Sequence, residues 1–374
     1  MIPYGRQHID EDDILAVERI LRGDFLTTGP AIAAFEKDVA QYCSAAEAVA
    51  VANGTAALHV AMLALGIKPG DEVIVPPLTF AATANCVRYV GATPVFADVD
   101  EKTLAIDPVD VGRKITPSTK AVIGVDYAGN TCDWDALKAT VAGKDIILVA
   151  DSCHALGATY KGVKTGTVAD LTVFSFHPVK HITTGEGGMI LTDDADTASR
   201  CRLFRTHGIT SDSHQRDKAN AWYYEMTDLG FNYRMTDIQA ALGSSQLKKL
   251  DGFLARRREI AKQYDDLFAE CERVTPLGKT AGCEHAYHLY VVKVPERNKV
   301  FSHLRQSGIG VNVHYIPVHL HPYYRRELGL GPGLCPVAEA AYEQIISLPM
   351  FPDLADAELL TVADTLTGFV NDLP

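Results

Sequence analysis

Short apolar, β-branched runs alternate with helix-patterned stretches through most of the first 250 residues. The expected strands are Glu72–Val75, Pro94–Ala97, Ala121–Val125, Ile146–Ala150 and Leu171–Phe176. Helical spacing marks Glu11–Leu21, Ile32–Tyr42 and Thr55–Leu65, the last through Leu58, Met62 and Leu65. Buried runs of this kind with helices between them build a mostly parallel sheet covered on both faces. Gly187–Thr192 reads as one more strand, set antiparallel, and Thr236–Phe268 as long helix. The rhythm then changes. His288–Val294 and Gly308–Tyr315 read as strands, and Lys299–Ser307, Ala338–Ile346 and Ala357–Val370 as helices. The expected fold class is α/β, with a large domain over 1–250 and a smaller C-terminal α+β domain over 251–374.

A chain of 374 residues, 47% of them hydrophobic, can bury a core of that size. Its net charge of −12 argues against a nucleic-acid or anionic-membrane surface. A small anionic ligand stays open, because it needs only a local positive pocket. No apolar run approaches the roughly 20 residues of a membrane span. The opening MIPYGRQHIDEDD lacks the apolar stretch of a signal peptide. The eight cysteines, at 43, 86, 132, 153, 201, 271, 283 and 335, never reach CxxC spacing. Neither a zinc site nor a redox pair is expected, and scattered thiols fit a reducing cytoplasm.

Open parallel sheets bind ligands beyond the carboxyl ends of their strands. Four stretches fall there. In VANGTAA, Gly54 and Thr55 stand just before a helix, whose free N–H groups and partial positive charge suit a phosphate. Taken alone, that motif is better explained as capping by Asn53 or Thr55. Asp151 follows an apolar strand, where a carboxyl group can hold a protonated ring nitrogen or simply form a turn. His154 lies three residues on. Ser175 and Lys180, in FSFHPVKHITTGEGGMI, follow the next strand and emerge near Asp151. Phe80, in PPLTFAATAN, can stack on a planar ring or pack in the core. A lysine, an acid and a phosphate cup at one sheet edge are the three parts that pyridoxal phosphate needs.

These residues also lie in motifs of a known family. LTTGP (26–30), NGTAAL (53–58), PPLTFAATAN (76–85), PVFADVD (94–100), ADSCHALGA (150–158), FSFHPVK (174–180), GEGG (185–188), GFNYRMTDIQAALG (230–243) and HYIPVHLHPYY (314–324) span nearly the whole chain. In that order they resemble the sugar-nucleotide aminotransferases of the DegT/DnrJ/EryC1/StrS type. The resemblance implies the aspartate-aminotransferase-like fold (pyridoxal-phosphate transferase fold type I), with a mixed, mostly parallel sheet and a homodimer whose active sites lie at the subunit interface. It implies Lys180 as the Schiff-base lysine and Asp151 on the pyridine nitrogen. Phe80 is expected on the ring and His154 near its hydroxyl. Gly54, Thr55 and Ser175 are expected on the phosphate, and Asn232 on the phosphate of the partner subunit's cofactor. Pyridoxamine phosphate is the expected amino-carrying form.

MIPYGRQ, SFHPVK with ITTGEGG, and HYIPVHLHPYY are similar to the subgroup that performs 4-amination in pseudaminic acid biosynthesis. That similarity implies L-glutamate as donor and UDP-2-acetamido-2,6-dideoxy-β-L-arabino-hex-4-ulose as acceptor. The product is then UDP-4-amino-4,6-dideoxy-N-acetyl-β-L-altrosamine. It marks Tyr4, Thr27, Thr28, His314 and Tyr315 as substrate contacts. Arg234, His319 and His321 remain open for the diphosphate. His177 reads as a packing residue. His181 departs from the subgroup, where proline is expected; it adjoins the lysine without replacing it. Competing readings are amination of another UDP- or dTDP-linked keto-sugar, a dehydratase, which in this family carries histidine in place of the lysine, and a non-enzymatic regulator.

Overall fold

The computed structural model describes residues 1–210 and 222–374. Seven strands form the central sheet: β1 (Glu47–Val51), β2 (Glu72–Val75), β3 (Thr93–Phe96), β4 (Thr119–Val125), β5 (Ile147–Asp151), β6 (Leu171–Ser175) and β7 (Gly188–Thr192). Their order is β1-β7-β6-β5-β4-β2-β3. From β3 to β6 every pairing is parallel. β7 runs against both β6 and β1. The sheet is mixed and mostly parallel, as expected. Its strands are almost wholly buried, because helices cover both faces.

Helix Gly54–Ala64 packs inside the largest core cluster, beneath Val73, Ile123, Val149 and Val173. Residues from the C-terminal third, among them Val318, Tyr324, Ala338 and Ile345, join that same cluster. A second core gathers Tyr264, Phe268, Val292, Ile346 and Leu366 around a three-stranded sheet of Thr275–Pro276, Tyr290–Lys293 and Ile345–Leu348. Two buried aspartates act as remote helix caps. Asp237 accepts from the N–H groups of Gly29 and Ala31, and Asp98 from those of Val337 and Ala338. Each fixes a helix start from far away in sequence and meets free N–H groups with a carboxylate.

The structure corrects four expectations. β1 was not anticipated: its alanines carry little strand signal, and pairing with β7 supplies the rest. Thr236–Phe268 is two helices, Asp237–Leu247 and Leu250–Phe268, divided at Lys248 and Lys249. Gly308–Tyr315 is irregular and is tied by bridges from Ile309 to Ile2 and from Asn312 to Ser347. The chain start crowds it, and a Cβ on Gly310 would lie 2.8 Å from the Ile2 oxygen. Within Ala338–Ile346, helix Pro336–Tyr342 ends and the β-branched run Ile345–Leu348 turns into a strand.

Gly129 joins the C-terminal part to the sheet edge. Its carbonyl accepts from Ala286 N–H at 2.9 Å, and its φ is +102°. An added Cβ would lie 2.7 Å from Tyr287 N and 2.9 Å from the His154 oxygen. Gly129→Ala is therefore expected to destabilise the protein by more than about 1 kcal/mol, because both the positive φ and the backbone contact oppose it. A lowered melting temperature in calorimetry is the check.

Candidate active site

At the carboxyl edge of the sheet lies a cavity of ≈ 1030 Å³. Gly54, Thr55, Phe80, Asp151, His154, Ser175, Lys180, Tyr4, His314 and Tyr315 all line it. Four strand ends, after β1, β2, β5 and β6, deliver most of these residues to one place, and the chain start and the irregular stretch 314–315 add the rest.

Asn53 caps helix Gly54–Ala64, its side chain accepting from Ala56 N–H at 2.8 Å. Capping therefore does not use Thr55, whose hydroxyl makes no hydrogen bond among the described residues. The first N–H groups of the helix border the cavity through Gly54 and Thr55. Residue 54 has to be glycine here: a Cβ would lie 2.9 Å from Ser175 Cβ and 3.3 Å from Cys153 Sγ. Glycine, threonine and serine thus bring backbone N–H and hydroxyl groups to the cavity, donors of the kind that suit a phosphate.

Asp151 closes β5 and is 6% exposed. Its Oδ2 accepts from Thr83 Oγ1 at 2.7 Å, and Thr83 in turn meets Thr79 Oγ1 at 2.8 Å. Its Oδ1 accepts from Cys153 N–H at 3.3 Å. Phe80 is 61% exposed although large and apolar. It lies beside the ring of Tyr315, centroids 6.0 Å apart. An uncovered aromatic face beside a held carboxyl group fits a planar, protonated heteroaromatic ring.

Lys180 sits on the loop between β6 and β7. Phe176 N–H donates to Gly187 O and Thr184 N–H to Phe176 O, closing the loop at its base. The Lys180 amine makes no hydrogen bond or ion pair among the described residues. Burial pulls its pKa below the ordinary lysine range, with Cys153 and Asp151 opposing. A lysine biased toward the free amine is suited to act as a nucleophile and base.

His154 is neutral for two reasons. Burial, then the nearby Lys180, hold its pKa well below the usual histidine range. Its Nδ1 accepts from Ala128 N–H at 3.3 Å, so Nε2 carries the proton and donates to Tyr315 Oη at 3.1 Å. His314 is held down to about 4 by burial, then Lys180. Its two nitrogens meet Ser347 Oγ at 2.8 Å and Asn312 Nδ2 at 3.3 Å. Tyr127 Oη donates to the His314 carbonyl.

The remaining expected residues lie elsewhere. Thr28 and Arg234 border a second cavity of ≈ 620 Å³, and Thr27 pairs with Thr236 in a single bridge. Asn232 is exposed and lines neither cavity. His319 is buried against Glu339 at 2.9 Å, and His321 precedes helix Pro322–Leu328. His177 is corrected: it is exposed and borders the main cavity instead of packing. Thr79, Thr83, His288 and Asn312 also line the cavity and were not anticipated. Thr79 and Thr83 both lie inside PPLTFAATAN, four residues apart, the one signal that could have found them.

Solved structures of the same architecture include sugar aminotransferases. The putative sugar aminotransferase Spr1654 from Streptococcus pneumoniae, in its PMP-form, superposes with a TM-score of 0.94 at 35% identity, covering 99% of both chains. Its PLP-form superposes at 0.93. Helicobacter pylori PseC, an aminotransferase involved in the biosynthesis of pseudoaminic acid, gives 0.93 at 30% identity over 100% of both chains. The spore coat polysaccharide biosynthesis protein SpsC of Bacillus subtilis is 41% identical over 99% of this chain and 97% of that protein. Fold and site thus define an aminotransferase. The chain belongs to the DegT/DnrJ/EryC1/StrS aminotransferase family, whose model matches residues 7–367.

Burial holds His59, His154, His181, His285, His288 and His314 below the ordinary histidine range. Unfolding restores each to about 6.5, so below that pH the unfolded chain binds more protons. Stability is then expected to fall as pH drops below about 6.5, by up to about 1.4 kcal/mol per pH unit for each imidazole held neutral. Asp126, pushed up to about 7 by burial, works the other way, one carboxyl group against six imidazoles. Melting temperatures measured from pH 8 to 5 check the sign.

Proposed function

We propose that this enzyme moves the amino group of L-glutamate to C4 of UDP-2-acetamido-2,6-dideoxy-β-L-arabino-hex-4-ulose, with pyridoxal phosphate as cofactor. One observation carries the reading: Lys180, Asp151 and the Gly54–Thr55–Ser175 cup border a single cavity. The match to the pseudaminic acid aminotransferase over the full chain supports the substrate.

When bound, pyridoxal phosphate supplies the electron sink that makes a carbon-bound proton removable. Gly54, Thr55 and Ser175 hold its phosphate. Asp151 keeps the proton on the ring nitrogen, and the Thr83 hydroxyl fixes that carboxyl group. Phe80 covers the ring, and His154, oriented by Tyr315, lies at the ring hydroxyl. Lys180 takes the proton from Cα of glutamate in one half-reaction. In the other it delivers a proton to C4 of the sugar. One lysine serving both halves gives ping-pong kinetics. Tyr4, His314 and Tyr315 contact the sugar nucleotide. His314 does so as a neutral ring, so it adds no positive charge for the diphosphate. The division at 250/251 separates the cofactor-binding part from the C-terminal part in this reading.

The 41% identity to the spore coat polysaccharide protein favours a second reading, amination of a different nucleotide sugar. A panel of UDP- and dTDP-keto-sugars, with product NMR, decides between them. Lys180→Ala is expected to keep the fold, lose the visible absorbance of the cofactor-bound lysine and lose about 10²–10⁴-fold in rate. Near wild-type turnover in that variant overturns the role of Lys180. Amination of another sugar but not of this one overturns only the substrate.

The same reading makes the enzyme a cytoplasmic homodimer. All eight cysteines are free thiols, which supports a reducing compartment. Trp222, Met226 and Leu229 are 84%, 64% and 77% exposed, large apolar side chains close together in the chain and suited to a second copy. Asn232 belongs to the same stretch of chain and is available to the partner's phosphate cup. Mixing Lys180→Ala and Asn232→Ala dimers is expected to restore part of the activity that each lacks. No recovery after verified subunit exchange counts against shared sites.

A further inference from the structure

His181 follows the reactive lysine and is 3% exposed. Its Nε2 lies 3.1 Å from the Ala286 carbonyl oxygen, which only accepts, so Nε2 carries the proton. Burial first, and the Arg257 guanidinium second, hold the ring well below the ordinary histidine range. The imidazole is neutral, and Nδ1 is a lone pair. No donor among the described residues reaches it.

Arg257 is 1% exposed. Its Nη1 donates to the carbonyl oxygens of Tyr287, His288 and Met350 at 3.0, 3.3 and 3.1 Å. Its Nε–H is buried with no acceptor among the described residues. A buried donor and a buried acceptor without partners are each costly. His181 and Arg257 both border a small cavity of ≈ 10 Å³. Lys180 and Thr183 border it too, and Lys180 is the one residue it shares with the main cavity. One water needs on the order of 10 Å³ and at least two polar partners.

We propose that His181 is a positioning residue for Lys180, anchored to Arg257 through one buried water in this cavity. The water accepts from Arg257 Nε–H and donates to His181 Nδ1. The ring is then held at both nitrogens, by the Ala286 carbonyl on one side and by the water on the other. Holding residue 181 holds the backbone that carries Lys180. The positioning role rests on Lys180 being the reactive amine; the water does not. It also gives a reason for histidine at a position where proline is expected.

The test uses the cofactor-loaded wild-type enzyme and two variants. A high-resolution crystal structure is expected to show one ordered water within hydrogen-bond distance of Arg257 Nε and His181 Nδ1. ¹⁵N-histidine NMR is expected to show His181 with its proton on Nε2. An empty cavity, an Nδ1–H tautomer or an imidazolium overturns the anchor whether or not the variants fold. His181→Leu removes both polar contacts. Its kcat is expected to fall several-fold, within the roughly 100-fold that a misplacement of about 1 Å costs, with KM for glutamate unchanged. His181→Gln, which keeps a donor and an acceptor, is expected to recover most of the loss. Wild-type kcat in His181→Leu, or equal losses in both variants, overturns the positioning role. Full activity in Lys180→Ala would instead sink the reading of Lys180 and leave the water to stand on density and tautomer.

Discussion

A carboxyl group that is 6% exposed persists in a protein interior only when its oxygens have partners, and Asp151 has them on both sides. Much of the site follows from that requirement. The Thr83 hydroxyl meets one oxygen, so the start of helix Ala82–Tyr89 has to lie against the end of β5. Thr79 steadies Thr83, which fixes the turn carrying Phe80 just beyond it. On the other flank β6 pairs with β5 in parallel, which brings Ser175 and the Lys180 loop alongside. The acid, the exposed aromatic ring and the amine are thus placed by one sheet edge.

Much of this was legible in the sequence, and the reason is local. Apolar runs bounded by turn residues revealed β2 to β7, and the residues just after β2, β5 and β6 were the ones to inspect. Asp151, Lys180 and Gly54 needed no knowledge of distant contacts. What stayed hidden depends on tertiary partners. β1 becomes a strand because β7 lies beside it. Gly308–Tyr315 fails to be one because the chain start and Ser347 occupy its hydrogen-bonding groups at intervals. His288 reaches the cavity from the C-terminal third, against the ring of His154 at 4.4 Å, and nothing in its neighbourhood announces this. Asp98 and Asp237 were visible only as parts of motifs, and both turn out to cap helices remote in sequence.

The histidines beside the cavity share a physical state. His154, His288 and His181 lie in succession, ring centroids 4.4 and 5.7 Å apart, each held neutral by burial. A chain of imidazolium ions could not pack this closely next to Lys180 and Arg257. Neutral rings can, and they give directional hydrogen bonds without adding charge around an amine whose usefulness depends on losing its proton.

β7 is the one strand of the central sheet that runs against its neighbours, and its reversal has a cost in tolerance. Where strands are joined by long crossings through helices, as β1 is to β2 through Gly54–Ala64, an extra residue on the surface of the crossing is absorbed by slack. Between β6 and β7 the chain leaves the sheet and re-enters it beside the strand it left, with Gly188 pressed against the Asn53 backbone. There is no slack on that path. The length of the Lys180 loop is therefore fixed as firmly as its chemistry, and a lineage free to vary its substrate pocket is not free to add or delete a residue there.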